Sequence, residues 1–263
     1  MIYEPTRIRR EAKAKADAAL TEAGAVIEIG DLEKRALQRF VYEQSKEQQN
    51  IESIAAKALP NVLPDSDPSM VDDDWIAEFF ARSRRVSSEE MQDLWGRILS
   101  GESNKPGSVS KRTLDFVALM DKADAELFSR LCNLSANSIG EPIVFDTKDE
   151  ILKSENLKYS DLAHLESIGL IQLAGGMTSY IRQSQANRHF MDISGRLLCV
   201  DIEKKKGTET SDLTFGKIML TRTGRELRRF VQIIPSSDLY DYCVQKWHKD
   251  KHILSSPYPQ PKR

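Results

Sequence analysis

The sequence has few of the residues and motifs that mark most enzymes and secreted proteins. Its 263 residues include only three cysteines and four histidines. No two cysteines form a Cys-x-x-Cys pair, and no histidine lies at metal-ligand spacing from a cysteine, so neither a metal site nor a disulfide framework is predicted. Sparse cysteines are typical of a reducing compartment, and a cytoplasmic location is expected.

Signals for membranes, export and nucleotide binding are also missing. No stretch approaches the roughly 18 apolar residues that a membrane span needs, so no membrane association is expected. The basic start of the chain is not followed by an apolar segment, which argues against a signal peptide. The glycine-rich loops that hold nucleotides do not occur. The sequence therefore predicts no cofactor and no small-molecule substrate, and it disfavours an enzyme.

Charge is balanced over the whole chain but not along it. The chain has 38 Lys/Arg and 40 Asp/Glu, whereas residues 203–263 hold 13 Lys/Arg against 7 Asp/Glu. The basic candidates of this region are Lys204, Lys205 and Lys206, expected at a hairpin tip, and Arg222, Arg225 and Arg229, expected on one side of a helix. Such a surface could bind the phosphates of a nucleic acid. The alternative is that these arginines pair with neighbouring acids such as Glu226.

Residues 1–60 are predicted to form a helical arm. Asp31 can cap a long helix that ends before Pro60. Within this helix, residues recur at alternating spacings of four and three, the heptad pattern of a coiled coil: Leu37, Val41, Gln44, Gln48, Ile51 and Ala55. Two interpretations remain open. This seam could join the arm to a second copy of the chain, or it could pack on its own domain.

A linker and a compact helical module are predicted next. Residues 61–71 are rich in Pro, Asp and Ser, and residues 72–135 contain four short helices with capping signals. The predicted caps are Asp72 or Asp73 for the first helix, a capping box of Ser87 with Glu90 for the second, Ser110 for the third and Asp121 for the fourth. Apolar residues at helical spacing between these caps predict one small core.

Aromatic and acidic residues of this module have two possible roles. Trp75, Phe79, Phe80 and Trp95 could form a partner surface, but at helical spacing beside Ile and Leu they are interpreted as core. The run Asp72–Asp74 could bind a cation, but three consecutive helical residues point about 100° apart, so capping explains them better. Glu89, Glu90 and Glu102 have no partner histidine nearby, which disfavours acid–base catalysis.

The last third of the chain changes character. In residues 136–254, short strands alternate with short helices in an order that resembles a winged helix with an insertion between its strands. Its second helix, predicted over Tyr159–Ile168, carries acidic side chains and no Arg or Lys, which disfavours readout of the DNA major groove. Residues 255–263 are expected to form a disordered tail. The predicted fold class is mainly α with a small α+β part: helical arm, capped helical module and winged-helix-like module.

Several segments of the chain are similar to a bacterial family known as domain of unknown function 2806. They are Gln49–Ile54, Asp73–Trp75, Glu90–Glu102, Pro106–Ser108, Arg112–Phe116, Asp124–Ala125 with Leu127–Phe128, Leu165–Ile171 and Leu220–Leu227. The resemblance covers roughly residues 40–232, and the run Leu94–Glu102 is its most specific part. Relative to the family, the chain is expected to lack an upstream N-terminal segment.

The resemblance implies a setting but not a chemistry. Family members are common in prophage and defence neighbourhoods, and the Leu94–Leu99 pattern resembles abortive-infection proteins. No catalytic residue is implied. The leading hypothesis is a non-enzymatic interaction protein that binds a protein partner or a second copy of itself, in phage defence or mobile-element conflict. A sequence-nonspecific nucleic-acid binder is the second hypothesis, and an enzyme of unknown type is the third.

Overall fold

The computed structural model describes residues 13–18, 30–138, 141–144, 150–174, 180–184, 187–193, 195–202, 209, 211–234, 237–250 and 253–255. The chain divides into two compact units, Met1–Leu119 and Met120–Arg263. The fold is mainly helical with a smaller antiparallel strand part, as predicted. None of the helices within these ranges is long and apolar enough to cross a membrane.

The described part of the first unit is helical. Its elements are α1 (Asp31–Ala58), 3-10 turns at Leu59–Asn61 and Pro68–Met70, α2 (Asp73–Ser83), α3 (Glu89–Asn104) and α4 (Lys111–Leu119). Residues 13–18 are also helical. The predicted caps of two of these helices are confirmed: the amide of Trp75 donates to Asp72 Oδ1 at 2.8 Å, and the amide of Thr113 donates to Ser110 Oγ at 3.3 Å.

The predicted capping box at the start of α3 is wrong by one residue. The helix begins at Glu89, with Ser88 at the N-cap and no capping bond from its side chain. Ser88 Oγ instead donates to the carboxylate of Glu90 at 2.7 Å. Since Glu90 is then the second residue of the helix, it is too close to the cap to close the reciprocal box.

Aromatic rings form the centre of the first unit's core. The rings of Trp75 and Phe79 stack at 5.3 Å, and Trp95 meets Phe79 edge to face at 5.2 Å. All three residues are buried, which confirms their interpretation as core rather than as a partner surface. Edge-to-face and offset pairs of this kind add to the stabilisation that burial alone provides.

The second unit combines four described helices with nine short strands. The helices are α5 (Lys122–Asn133), α6 (Ile151–Ser154), α7 (Tyr159–Ser167), α8 (Arg222–Arg228) and, after it, α9 (Ser237–Lys249) as the carboxyl-terminal one. The strands are β1 (Ala136–Ser138), β2 (Glu141–Val144), β3 (Ile171–Leu173), β4 (Tyr180–Ser184), β5 (Arg188–Ile193), β6 (Arg196–Asp201), β7 (Ser211–Gly216), β8 (Ile218–Leu220) and β9 (Ile253–Ser255). The predicted opening of α5 at Asp121 is confirmed by a capping box with Asp124.

One seven-stranded antiparallel sheet carries the second unit. Its strand order is β3-β8-β2-β1-β5-β6-β9, and β4 pairs with β7 in a separate two-stranded sheet. The strands β2, β8 and β3 form its beginning, with β8 between the other two, and helices α6 and α7 connect β2 to β3 along the chain. Strands β4 to β7 are inserted between β3 and β8.

The five-part division of the chain stays a prediction. Helix α5 was expected in the module of residues 72–135, whereas the two compact units meet between Leu119 and Met120, which puts α5 in the second unit. The disordered tail predicted for residues 255–263 lies outside the described residues except at Ser255, which ends β9.

Candidate functional site

The carboxyl-terminal half of α1 is fixed to the first unit by buried polar side chains. Asn50 donates from Nδ2 to the carbonyl of Arg84 at 2.9 Å and accepts at Oδ1 from Gln92 Nε2 at 3.2 Å. Gln92 also donates to the carbonyl of Val86 at 2.9 Å. Asn50 and Gln92 are both buried. Because a buried amide without partners is costly, this network holds α1 in one position against the α2–α3 turn.

Ion pairs at the rim and a close backbone approach support the same attachment. Glu47 lies 3.4 Å from Arg84 and 3.3 Å from Arg85. Lys57 forms an ion pair with Asp93, and this hydrogen bond raises the pKa of the lysine above its ordinary value. At Gly96 the two helices come so close that a Cβ would lie 2.9 Å from Lys57 Cβ, so α3 needs glycine there.

The amino-terminal half of α1 is bare. From Asp31 to Lys46, every side chain is exposed except Leu37, which is half-buried. Four large apolar side chains lie in this stretch: Leu32 is 69 % exposed, Phe40 56 %, Val41 36 % and Tyr42 68 %. We call Asp31–Lys46 the exposed arm. Apolar side chains concentrated on one exposed element often mark a binding surface.

The structure separates the six predicted seam residues into two groups. Val41 and Gln44 are exposed on the arm, whereas Leu37, Gln48, Ile51 and Ala55 are half-buried. The row that α1 buries in its own unit is Asn50, Ile54 and Ala58, which begins one residue before Ile51 of the seam. One residue rotates the contact face by about 100°. The seam therefore flanks the packed face, and its role in joining chains stays a prediction.

Sequence reasoning missed the apolar residues outside the heptad. Leu32, Phe40 and Tyr42 do not fit the seam, and they are among the most exposed large apolar residues of the described chain. The available signal was the run Phe40–Tyr42, three consecutive large apolar residues on a helix that is otherwise charged. Such a run cannot be buried on a single face, since consecutive residues point about 100° apart.

The predicted basic candidates of the second unit are partly neutralised. Arg222 Nε donates to Glu226 Oε1 at 2.9 Å, so the predicted pairing with Glu226 is confirmed for this arginine. Arg225 donates to the carbonyl of Leu220 at 3.4 Å, and Arg229 donates to the carbonyl of Glu226 at 3.4 Å. Arg222 and Arg229 are exposed, and Arg225 is half-buried. The side chains predicted at the hairpin tip, Lys204, Lys205 and Lys206, lie outside the described residues.

A fourth arginine of α8 is structural. Arg228 Nε donates to Ser135 Oγ at 2.6 Å, which ties α8 to the start of β1. Burial lowers the pKa of this guanidinium below its ordinary value. Beside it, burial raises the pKa of the Cys132 thiol to about 12 in spite of the neighbouring positive charge. A thiol with such a pKa stays protonated and unreactive at neutral pH.

A family comparison bears on the whole of this arrangement. The model of the family described as protein of unknown function DUF2806 matches residues 34–243. The chain belongs to this family. No curated protein and no solved structure matched the chain.

The family match includes the carboxyl-terminal half of the exposed arm and the whole packed half of α1. It also includes the run Leu94–Glu102, which the structure places in packing and loop support. Glu102 is buried and accepts from the amide of Val109 at 2.8 Å and from Ser108 Oγ at 3.2 Å. The carbonyl of Val109 in turn accepts from Trp75 Nε1 at 2.8 Å. This DUF2806 segment therefore holds the α3–α4 loop against the core.

Two further family segments meet in the second unit. Thr221 Oγ1 donates to the carbonyl of Gly169 at 2.7 Å and accepts from the amide of Gly224 at 3.1 Å. Gly224 lies against the carbonyl of Leu170, where a Cβ would overlap the oxygen. The runs Leu165–Ile171 and Leu220–Leu227 thus form one joint between the α7–β3 corner and α8. Their shared role in the DUF2806 fold is structural.

The acidic candidates have structural partners as well. Asp72 caps α2, and Lys111 Nζ lies 3.4 Å from Asp72 and 3.7 Å from Asp74. Among the described residues, no group of three or more His, Cys, Asp or Glu side chains could hold a metal ion. The exposed arm is the described feature of this DUF2806 chain that its own fold leaves without a packing role.

Proposed function

We propose that this chain is a non-enzymatic assembly protein that associates with a second copy of itself through the exposed arm of α1. The observation that carries the proposal is the contrast in burial along one continuous helix. The half after Lys46 is held by a buried network, and the half before it exposes Leu32, Phe40, Val41 and Tyr42. An arm that ends in three adjacent apolar residues gains stability when another chain covers it.

The length of the arm supports the same conclusion. A helix of 12 to 15 residues is only marginally stable in water by itself, even when it is rich in alanine, and this arm spans about that length. Its side chains include Phe40, Val41 and Tyr42, which favour helix less than alanine does. Covering them would stabilise each side chain by roughly 1.5–3 kcal/mol if burial were complete.

The sheet of the second unit supports a partner-binding role there. A winged helix needs two helices between its first and second strands and a third strand between these two, and β2, α6, α7, β3 and β8 follow that order. We assign a winged-helix-like module on this basis. Its helix α7 exposes Tyr159 and Glu166, and His164 lies 2.7 Å from Asp124 of α5. An acidic face of this kind fits a protein partner better than a DNA phosphate backbone.

The biological setting of the proposal follows from the family resemblance. We propose that the assembly acts in the cytoplasm in phage defence or mobile-element conflict. Cys132, Cys199 and Cys243 are all free and buried, which fits a reducing compartment. A strain that carries the gene should form fewer phage plaques than a strain that carries an arm-disrupted variant. Equal plaque numbers over a broad phage panel would contradict this setting.

Light scattering tests the assembly. Wild-type protein should be oligomeric at micromolar concentration, and Phe40→Asp with Tyr42→Asp should make it monomeric, because two charges would then be buried at the contact. A matched control is Leu119→Asp, which changes an 85 % exposed leucine outside α1. That control should leave the oligomer intact. A wild-type chain that is monomeric at this concentration contradicts the proposal.

Nucleic-acid binding by α8 is the second candidate function. Its support is the exposure of Arg222 and Arg229 on a short helix with four arginines. Contacts of this kind would be to phosphates, so affinity for random DNA or RNA should fall steeply with salt, and Arg222→Glu with Arg229→Glu should abolish it on all sequences alike. Wild-type protein that shows no retention of either polymer at about 50 mM salt, where phosphate contacts are strong, removes this candidate.

A further inference from the structure

We infer that two copies of α1 pair antiparallel, with the twofold axis at the level of Val41. This inference rests on the proposed self-association and adds its geometry. The run Phe40–Tyr42 lies in the later part of the arm, and its exposed apolar side chains come together only when two copies cross at this level. In that arrangement the Phe40 of one copy is level with the Tyr42 of the other.

The order of charges along the arm decides the orientation. Arg35 and Arg39 precede the apolar run, and Glu43 and Glu47 follow it. About Val41, antiparallel pairing puts Arg39 level with Glu43 of the second copy and Arg35 level with Glu47 of the second copy. Arg39 and Glu43 are already an i, i+4 pair at 3.7 Å in one chain, with side chains 75 % and 56 % exposed. Both are therefore free to reach a neighbouring helix.

The start of the arm is complementary to the attachment point of α1. Asp31 and Glu33 make the first turn acidic. Antiparallel pairing puts this turn level with residues 49–51 of the second copy, one turn from Glu47, where Arg84 and Arg85 bind. Arg85 has a side chain that is 77 % exposed. Acidic and basic ends of the two copies thus come together at both ends of the pair.

A parallel pair would lose these contacts. Each arginine would then be level with the same arginine of the second copy, and each glutamate with the same glutamate. Like charges at one level repel each other, whereas opposite charges there attract. The acidic first turns would also lie side by side, about 24 Å along the helix axis from the level of Glu47. Charge order therefore favours the antiparallel arrangement over the parallel one.

Spin labels on single introduced cysteines test the orientation. Lys34→Cys and Gln44→Cys are suitable sites because both positions are exposed. Cys132, Cys199 and Cys243 are buried, so a thiol-reactive label should modify the introduced site alone in the native protein. Each labelled variant is first checked by light scattering. Pulsed electron resonance then measures the distance between the two labels of one oligomer.

Antiparallel pairing about Val41 predicts unequal distances. The two labels at position 34 are separated by about 21 Å along the helix axis, and those at position 44 by about 9 Å, at a rise of 1.5 Å per residue. Equal short distances at both positions would mean parallel pairing and overturn the inference while the assembly stands. A monomer in light scattering overturns the proposed function itself. An oligomer with two distances beyond the length of the arm puts the contact outside α1 and overturns both.

Discussion

The two halves of α1 have similar amino-acid compositions but very different environments. The half after Lys46 buries Asn50, Ile54 and Ala58 against α3, and the half before it buries no side chain. The difference does not come from apolar content, since the exposed half has the larger apolar residues, Phe40 and Tyr42. It comes from what faces each half. Only the second half meets a glycine and a matching amide on α3.

The comparison shows that a buried face is selected by its partner helix as much as by its own sequence. Asn50 is a poor core residue by composition, yet it is buried because Gln92 and the carbonyl of Arg84 satisfy its amide. Phe40 is a good core residue, yet it is exposed because no described element lies over it. Polar satisfaction on one half and lack of cover on the other thus produce opposite outcomes.

The largest effect is expected where the packed half meets the aromatic core. Trp95→Ala should lower the free energy of unfolding by about 3–5 kcal/mol, as truncation of a large buried aromatic does. Trp95 is fully buried and meets Phe79 edge to face. Urea unfolding followed by circular dichroism measures the loss.

Phe40→Ala is the matched variant on the exposed arm. It removes a similar apolar surface from a residue that is 56 % exposed. Measured at a dilution where the protein is monomeric, it should change the free energy of unfolding by less than about 0.5 kcal/mol, as exposed substitutions usually do. Equal losses for Trp95→Ala and Phe40→Ala would mean that the arm is packed within its own unit.

Much of this fold is readable from local signals in the sequence. Helix caps at Asp72, Ser110 and Asp121 and the core position of Trp95 depend on residues a few positions apart, and each was predicted. The start of α3 was missed by one residue because Ser87 and Ser88 both suit an N-cap. Sequence alone does not say which serine is used, since Asn50, 37 residues earlier, donates to Ser87 Oγ at 3.4 Å.

The candidate site was only partly predictable. A heptad pattern found the helix and the positions of its half-buried residues, such as Ile51, but not the buried row, which starts at Asn50. Pattern arguments assign apolar residues to the packed face, whereas this face is polar at Glu47 and Asn50 and depends on tertiary hydrogen bonds. The arginines of α8 were found by their spacing, and their neutralisation by Glu226 and by backbone carbonyls required coordinates.

A smaller effect is expected from the network that holds the packed half. Asn50→Ala should cost about 1–3 kcal/mol, because Gln92 and the carbonyl of Arg84 each lose a partner in a buried place. The neighbouring Gln49→Ala is the control, since Gln49 is exposed and lies on the other side of the helix. Chemical denaturation of both variants gives the difference. If Asn50→Ala is no less stable than Gln49→Ala, water replaces the amide and the network does not fix α1.

The smallest effect separates the two halves by backbone alone. Ala36 and Ala56 are both exposed alanines in the interior of α1, one on the arm and one on the packed half. Alanine to glycine in a helix costs about 1 kcal/mol. For Ala56→Gly this cost should appear in full in global unfolding, because the packed half unfolds together with its unit. For Ala36→Gly in a monomeric Phe40→Asp background, the arm can unfold first, so the same substitution should leave global stability unchanged and increase amide exchange only between residues 31 and 46. Hydrogen exchange measured by mass spectrometry resolves the two segments. Equal global losses for the two glycine variants would show that α1 unfolds as one unit, and the contrast between its halves would then concern burial without a difference in local stability.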